Sequence, residues 1–150
     1  MERDEIETIA AEIMGRAEIL SLSTISGEPY PSVRALFNLR SGIQFLGLSS
    51  FFADKGMRVY LGTNTSSLKM REIGAGAWVS VYYMIPNDFK GLCLSGRAVA
   101  DEGAKRSIWI EGWELYYPSG RNDPDYTVLR VDPVRARGLY AGRPFDIELQ

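Results

Sequence analysis

The chain has 150 residues, a formal net charge of −2, one cysteine and no histidine. This length predicts a single domain over residues 1–150 that buries its own core. The small net charge gives no reason to expect nucleic acid, one cysteine excludes an internal disulfide or a cysteine-rich metal site, and the missing histidine excludes histidine-dependent triads and zinc sites.

The chain opens with an amphipathic segment. Apolar residues recur at helical spacing over residues 4–15, which predicts a helix. The first twenty residues are acidic and not typical of a signal peptide, and no run approaches the roughly 20 apolar residues that a membrane span needs. We therefore expect a cytoplasmic protein without a membrane partner.

The pattern then changes to strands. Residues 19–24 and 30–39 predict a hairpin joined by the turn residues 26–29. Residues 40–56 mix glycine, serine and aromatic residues and allow two interpretations. They form either a strand over 43–48 or a long loop that covers part of the protein, and we prefer the covering loop.

The second strand of this hairpin carries an arginine in apolar surroundings. Alternation places Arg34 on the face opposite Val33 and Phe37. An arginine within a strand of this kind needs an acceptor. The acceptor is either a bound phosphate, which we prefer, or an acidic side chain such as Glu72.

A hydroxyl-rich turn joins the next strand, over 57–63, to a short helix over 66–73. Lys69 lies in the first helical turn, where a cation opposes the helix dipole, so an anionic partner is favoured. Ser66 and Ser67 are able to cap the helix, to contact a ligand, or to do both. The segment predicts a site for a phosphorylated ligand.

The rest of the chain adds strands and one helix. We predict strands over 77–85, 91–100, 126–131 and 135–140, a helix near 103–116 and an extended tail over 145–149. Cys93 is interpreted as a small buried hydrophobe, and Asp123-Pro124-Asp125 as a rigid turn, so no metal site is predicted. Six or seven strands, with helices between and outside them, predict a mainly β protein built as an antiparallel barrel.

The order of these motifs resembles the pyridoxamine 5'-phosphate oxidase-like superfamily, the FMN-binding split barrels. The resemblance covers nearly the whole chain and implies a six- or seven-stranded antiparallel split β-barrel. The final segments are similar to the small, stress-protein-like branch rather than to the oxidase proper. The matching segments are residues 27–36, 62–69, 77–83, 91–98, 113–120 and 123–130.

The resemblance implies FMN as the cofactor, with FAD as a possible alternative. Arg34 and Lys69 would grip the FMN phosphate, Thr63 would lie near the flavin, and residues 34–37 would run beneath its ring. The implied cofactor-binding residues are Arg34, Ala35, Leu36, Phe37, Thr63, Asn64, Ser66, Ser67 and Lys69.

The resemblance also implies a homodimer with the flavin at the two-fold interface, so that the partner subunit supplies part of the pocket. Aromatic residues late in the chain are expected at this interface: Trp109, Trp113, Tyr116 and Tyr117. Three other aromatic residues are expected in the core and interface rather than against the flavin: Trp78, Tyr82 and Tyr83.

The chain departs from the oxidases where they hold their substrate. Leu68 replaces an arginine, residues 37–39 lack a lysine, and the glutamine expected near Gly91 is missing. The oxidases' C-terminal arginine–histidine motif cannot exist in a chain without histidine. The FMN half of the site is therefore retained and the pyridoxal half lost, which makes this chain unlike a true pyridoxamine 5'-phosphate oxidase.

Three functions remain open from the sequence. The first is an FMN-dependent oxidoreductase of unknown substrate, in which the flavin carries the redox chemistry. The second is a flavin carrier, buffer or sensor without turnover, and the third is a barrel that has lost its cofactor. Haem and deazaflavin are further ligand options, and the missing histidine disfavours haem. No catalytic residue is assigned, since Tyr82 and Tyr117 have no support as proton donors.

Overall fold

A seven-stranded antiparallel sheet forms the body of the protein in the computed structural model, which describes residues 1–74 and 76–149. The helices are α1 (Arg3–Arg16), α2 (Ser49–Phe52), α3 (Leu68–Ile73) and α4 (Glu102–Ser107). The strands are β1 (Ile19–Thr24), β2 (Ser32–Phe37), β3 (Val59–Asn64), β4 (Ala77–Ile85), β5 (Lys90–Ala100), β6 (Tyr126–Tyr140) and β7 (Arg143–Glu148). The predicted mainly β architecture is confirmed.

The sheet closes into a barrel that stays split at one position. Its strand order is β2-β1-β4-β5-β6-β3, and β7 pairs with the second half of β6. The two end strands, β2 and β3, approach each other without a pairing ladder in the described part of the chain. Each therefore presents a free backbone edge toward the split.

Helix α1 packs one apolar face onto the barrel, as its periodicity predicts. Asp4 and Glu5 lie in its first turn and Arg16 in its last, so the charges complement the helix dipole. Its buried residues are Ile6, Ile9, Ala10, Ile13 and Met14. Asn38 fixes the end of the helix, because its side-chain amide donates to the carbonyls of Met14 and Ala17 at 2.7 and 2.8 Å.

A second apolar cluster covers the outer face of β3. Val59 and Leu61 face the barrel core, whereas Tyr60 faces outward onto Phe51 and Phe52. Residues 40–56 form short helical turns that carry these phenylalanines, so the preferred covering segment is confirmed and a strand over 43–48 is wrong. Strand β3 is thus held from both faces, which fixes the strand that leads into the hydroxyl-rich turn.

The strand pair predicted for 126–131 and 135–140 is wrong, because both segments belong to the 15-residue strand β6. Pro133 lies between the two predicted strands, and the structure has a shift in register there, opposite Gly96 on β5. A Cβ on Gly96 would lie 2.1 Å from the carbonyl oxygen of Asp132. Strand β6 continues past this point because Gly96 on β5 leaves room for the register shift.

The helix predicted near 103–116 is confirmed only at its start. Asp101 caps α4 by accepting from the Ala104 N–H at 2.9 Å, and the helix ends at Ser107. Beyond it, Gly112 adopts a φ of 100°, which a helix does not allow, and a short 3-10 turn follows at Trp113–Leu115. The apolar residues of this stretch enter the second cluster instead of lining one helical face.

Candidate functional site

A cavity of about 220 Å³ lies at the barrel split. Its walls come from the end of β2, the end of β3, the first turn of α3 and the segment after α4. The residues that define these walls include Leu36, Phe37, Thr63, Asn64, Lys69 and Trp113. Residues 36 and 37 and residues 63, 64 and 69, which are far apart in sequence, therefore line one cavity.

Arg34 reaches from β2 toward the helix α3 and is held by three acceptors. Its Nη1 donates to Thr24 Oγ1 at 2.8 Å and to the Leu22 carbonyl at 3.2 Å. Its Nη2 lies 3.5 Å from Glu72 Oε2, and the Thr24 hydroxyl donates to the same carboxylate oxygen. The ion pair with Glu72, which is the less favoured interpretation of the sequence, is therefore present in the structure.

Lys69 lies at the cavity wall, close to Arg34. Burial and the positive charge of Arg34 lower the pKa of Lys69 below its usual range. Lys69 lines the cavity, whereas the guanidinium of Arg34 bonds to Leu22, Thr24 and Glu72 and is not among the lining residues. Of the two predicted phosphate grips, one therefore lies at the cavity and the other already has a carboxylate partner.

Two hydroxyls beside these cations are buried and have no hydrogen-bond partner among the described residues: Thr63 Oγ1 and Ser67 Oγ. Ser67 is the N-cap residue of α3, but its side chain makes no capping hydrogen bond. Buried polar groups in native proteins are almost always paired, and Thr63 lines the cavity, so its unpaired hydroxyl indicates that something else bonds to it there. A phosphorylated ligand would supply acceptor oxygens here.

Asp125 holds the hydroxyl-rich turn against β6, a role that the sequence does not reveal. Its carboxylate accepts from Asn64 Nδ2 at 2.8 Å and from the Ser66 N–H at 2.9 Å. The Thr65 N–H donates to the Asp125 carbonyl at 2.7 Å. Asn64 and Ser66 are therefore engaged within the protein, and Asn64 still lines the cavity. The pairing of β3 with β6 brings these segments together, and single-sequence spacing gives no sign of it.

The predicted residues of β2 divide between two faces. Leu36 faces inward to the core and the cavity, whereas Ala35 is exposed on the outer face of the sheet. Phe37 lies at the rim, where it lines the cavity and is also 61% exposed. The side chain of Ala35 thus points away from the cavity, and only its main chain belongs to the free edge of β2.

Aromatic rings form the wall opposite the cations. Trp113 and Tyr116 line the cavity, together with the buried Tyr117 and Tyr126. Trp109 and Tyr117 pack on Tyr126 within this chain's own second cluster, and Tyr116 remains exposed. Of the four aromatic residues expected at an interface, Tyr116 is therefore the most accessible.

The outer face of β1, β2 and β4 is apolar and exposed. In the register, Ser21 lies between Ala35 and Tyr82, and Ser23 lies between Val33 and Ser80, so β1 contributes small residues to the middle of this face. The exposed side chains of this face are Ile19, Val33, Phe37, Trp78, Tyr82 and Met84. Apolar patches of this kind mark interaction sites, and Phe37 joins this one to the cavity.

A larger open cleft of about 810 Å³ lies near the start of β3. Its charged side chains are already paired, for example Arg58 with Asp132 at 3.3 Å and Arg3 with Glu7 at 2.9 Å. The described residues contain no group of three or more histidine, cysteine or acidic side chains arranged to bind a metal. No helix among them is long and apolar enough to cross a bilayer. The split cavity is therefore the best candidate site.

Residues 49–140 match the sequence model of a family described as pyridoxamine 5'-phosphate oxidase like. No curated protein matches the chain significantly. Among solved structures, a relative of general stress protein 26 from Clostridium acetobutylicum is 23% identical, with a TM-score of 0.77 over 99% of this chain and 97% of that one.

Two further structures share the fold. The general stress FMN/FAD binding protein of Xanthomonas citri is 14% identical, with a TM-score of 0.67 over 98% of this chain and 96% of that one. A heme binding protein of Mycobacterium smegmatis is 17% identical, with a TM-score of 0.70 over 99% of this chain and 60% of that one.

Proposed function

The chain belongs to the pyridoxamine 5'-phosphate oxidase like family, and on this premise we propose that it is an FMN-binding flavoprotein. One observation carries the proposal. Two buried hydroxyls have no partner among the described residues, that of Thr63 in the cavity wall and that of Ser67 at the N-cap of α3, and Lys69 of the same helix also lines the cavity. A phosphate monoester satisfies hydroxyl donors and cations together, whereas a neutral ligand satisfies only the hydroxyls.

Each wall of the cavity has a role in this proposal. Arg34 and Lys69 bind the phosphate, and Thr63 and Ser67 donate to its oxygens. The end of β2 and the aromatic wall would hold the flavin ring, and the free main-chain groups of β2 would supply hydrogen-bonding partners for its polar edge. The bound flavin supplies the redox chemistry, and the residues of the chain bind and orient it.

The descriptions of related structures favour a flavin and include a competitor. The X. citri relative is described as FMN/FAD binding, and the M. smegmatis relative as heme binding. This chain has no histidine, which is the commonest axial ligand of haem iron. The cations at the cavity suit a phosphate better than an iron centre, so we propose FMN, with FAD as the next candidate.

We also propose that the protein is a homodimer whose two-fold interface completes the site. The cavity of about 220 Å³ is smaller than the roughly 300–1,000 Å³ of pockets that enclose whole small ligands. Phe37 connects it to the exposed apolar face that carries Trp78 and Tyr82. A second copy seated on this face would cover the apolar surface and close the open side of the cavity.

We propose an oxidoreductase of unknown substrate as the activity. The substrate is not pyridoxamine 5'-phosphate, because the chain cannot form the arginine–histidine motif of the oxidases. Rapid reduction of bound FMN by NADH or NADPH, followed by reoxidation by a defined acceptor, would support an enzyme. Stable binding without such turnover would instead favour a carrier or sensor.

Flavin binding is tested with FMN and riboflavin, which differ by the phosphate alone. Purified protein should bind FMN at least about 100-fold more tightly than riboflavin in fluorescence titrations, because charge-assisted contacts to the phosphate are lost in riboflavin. Lys69→Glu should abolish this preference with an unchanged circular dichroism spectrum. Arg71→Gln, on the exposed side of α3, is the matched control and should retain it. Equal binding of FMN by wild type and Lys69→Glu would refute the phosphate assignment.

A further inference from the structure

Glu72 places a negative charge beside Arg34, one of the two cations proposed to bind the phosphate. It follows Lys69 by about one turn of α3, and its side chain is only 7% exposed. Its carboxylate accepts from the Thr24 hydroxyl and lies 3.5 Å from Arg34. A carboxylate is an acceptor with the same charge sign as a phosphate, so it competes for the same cation.

Glu72 is not needed to hold Arg34 in position. The guanidinium makes its two shorter hydrogen bonds, at 2.8 and 3.2 Å, to Thr24 and to the Leu22 carbonyl. The contact to Glu72 is the longest of the three. The main consequence of the Glu72 carboxylate for a ligand is therefore electrostatic.

The charge balance of the site follows from three side chains. Arg34 and Lys69 contribute two positive charges and Glu72 one negative charge, which leaves a net charge of +1. The phosphate of a monoester carries about −1.5 to −2 at pH 7. The site thus neutralises the phosphate incompletely, whereas the two cations alone would neutralise it.

We propose that Glu72 is an affinity-limiting residue that keeps FMN exchangeable. The inference rests on the proposed function, because it concerns the same phosphate site. Repulsion between Glu72 and the phosphate raises the rate of FMN release without blocking entry, so FMN behaves as an exchanging ligand rather than a permanently bound group. Exchange of this kind suits a protein that takes up and releases flavin.

Glu72→Gln tests the proposal. The glutamine side-chain oxygen still accepts from Thr24, so the variant removes the charge and keeps the shape. Glu72→Gln should bind FMN about 10-fold more tightly, as expected for one unit charge at close range, and should release it correspondingly more slowly. Its affinity for riboflavin, which has no phosphate, should not change. Glu102→Gln removes an exposed carboxylate on α4 and serves as the control.

A second variant guards against misfolding of the first. Leu68 is 57% exposed at the start of α3, and Leu68→Arg adds a positive charge while Glu72 stays in place. It should also tighten FMN about 10-fold and leave riboflavin unchanged. Release is followed by stopped-flow displacement of FMN from the full chain.

The outcomes separate the two proposals. If wild type binds FMN more tightly than riboflavin but neither variant changes FMN release, the role of Glu72 is refuted and the phosphate site stands. If wild type and Glu72→Gln both bind FMN no better than riboflavin, the phosphate site itself is refuted. Slower release in Glu72→Gln, limited to FMN, supports the role of Glu72, whereas slower release in Leu68→Arg alone refutes it.

Discussion

Two buried threonines differ in whether their hydroxyls are hydrogen-bonded. Thr24 donates to Glu72 and accepts from Arg34, whereas Thr63 Oγ1 has no partner in the described part of the chain. Thr63→Val removes an unpaired polar atom and should raise the free energy of unfolding of the flavin-free protein by about 1 kcal/mol. The same change should weaken FMN binding, because it removes a donor to the ligand.

Thr24→Val is the matched contrast. It leaves groups of Arg34 and Glu72 without their shared partner and should cost about 2 kcal/mol of unfolding free energy. Urea titrations of the flavin-free proteins measure both values. A loss of stability in Thr63→Val as large as that in Thr24→Val would show that the Thr63 hydroxyl is already satisfied within the protein.

Glu12 connects α1 to the end of the barrel and makes stability depend on pH. It accepts from Tyr140 at 2.6 Å, from Lys90 at 3.0 Å and from Arg16 at 2.8 Å. The hydrogen bonds from Tyr140 and Lys90 lower the pKa of Glu12 from 4.5 to about 2. Because the folded pKa is depressed, this stabilisation is fully present above about pH 4.5 and is lost as the pH falls toward 2.

Glu12→Gln should therefore lose about 1–2 kcal/mol at pH 7, after allowance for solvent screening of a partly exposed group. The difference from wild type should shrink between pH 4.5 and 2, measured by urea unfolding across this range. Glu7, on the same helix, makes an exposed pair with Arg3, and Glu7→Gln should cost no more than about 0.5 kcal/mol. A constant difference between Glu12→Gln and wild type at all pH values would contradict this assignment.

At the scale of single residues, the sequence predicts which side chains need a partner. It does not identify that partner. A strand arginine has to find an acceptor, and the sequence leaves phosphate and Glu72 as alternatives for Arg34. The structure contains the Glu72 pair, and Arg34 is not among the residues that line the cavity with Lys69. The hydrogen bonds by which Asp125 holds the hydroxyl-rich turn are not predictable in this way, because they depend on the register between β3 and β6.

The register shift between β5 and β6 gives a test at the level of elements. Gly96→Ala would place a methyl group 2.1 Å from the Asp132 carbonyl oxygen, and the backbone on both strands would have to move. We expect a loss of about 3 kcal/mol or more in unfolding free energy. Gly27→Ala is the control, since a Cβ added there would meet no atom within 4 Å, and it should change stability by less than about 1 kcal/mol. Stability is measured by thermal and urea unfolding. Equal losses of unfolding free energy in Gly96→Ala and Gly27→Ala would contradict the packing argument.

Elements with strong local patterns are predicted well. The spans of β1 and β4 agree with the alternation of their sequences, and α1 agrees with its apolar spacing. The predictions are wrong where a distant segment decides the outcome. Residues 126–131 and 135–140 are predicted as two strands, but Gly96 on the neighbouring strand lets β6 continue through both. The residues after Ser107 have helical spacing, yet their aromatic side chains bury themselves against β3 and β6 instead.

In the proposed homodimer, one barrel supplies only part of the ligand site. The split between β2 and β3 provides two free strand edges, and the second cluster holds β3 rigid from outside. The apolar outer face begins at Phe37, at the rim of the cavity, and extends across β1 to β4. If a second copy covers this face, then dimer formation and flavin binding both favour the same flavin-bound dimer. Each must therefore stabilise the other, because linked binding equilibria are reciprocal.

This linkage predicts that FMN affinity depends on protein concentration. Trp78 lies on the outer face, is 54% exposed and does not line the cavity, so Trp78→Glu should disrupt the dimer without touching the phosphate site. The variant should sediment as a monomer and bind FMN at least about 10-fold more weakly than wild type, because half of the proposed pocket is lost. Ile43→Glu, at an exposed apolar residue outside the sheet, should change neither property. Analytical ultracentrifugation with and without FMN measures both quantities, and a monomeric Trp78→Glu variant with wild-type FMN affinity would show that one subunit suffices to bind the flavin.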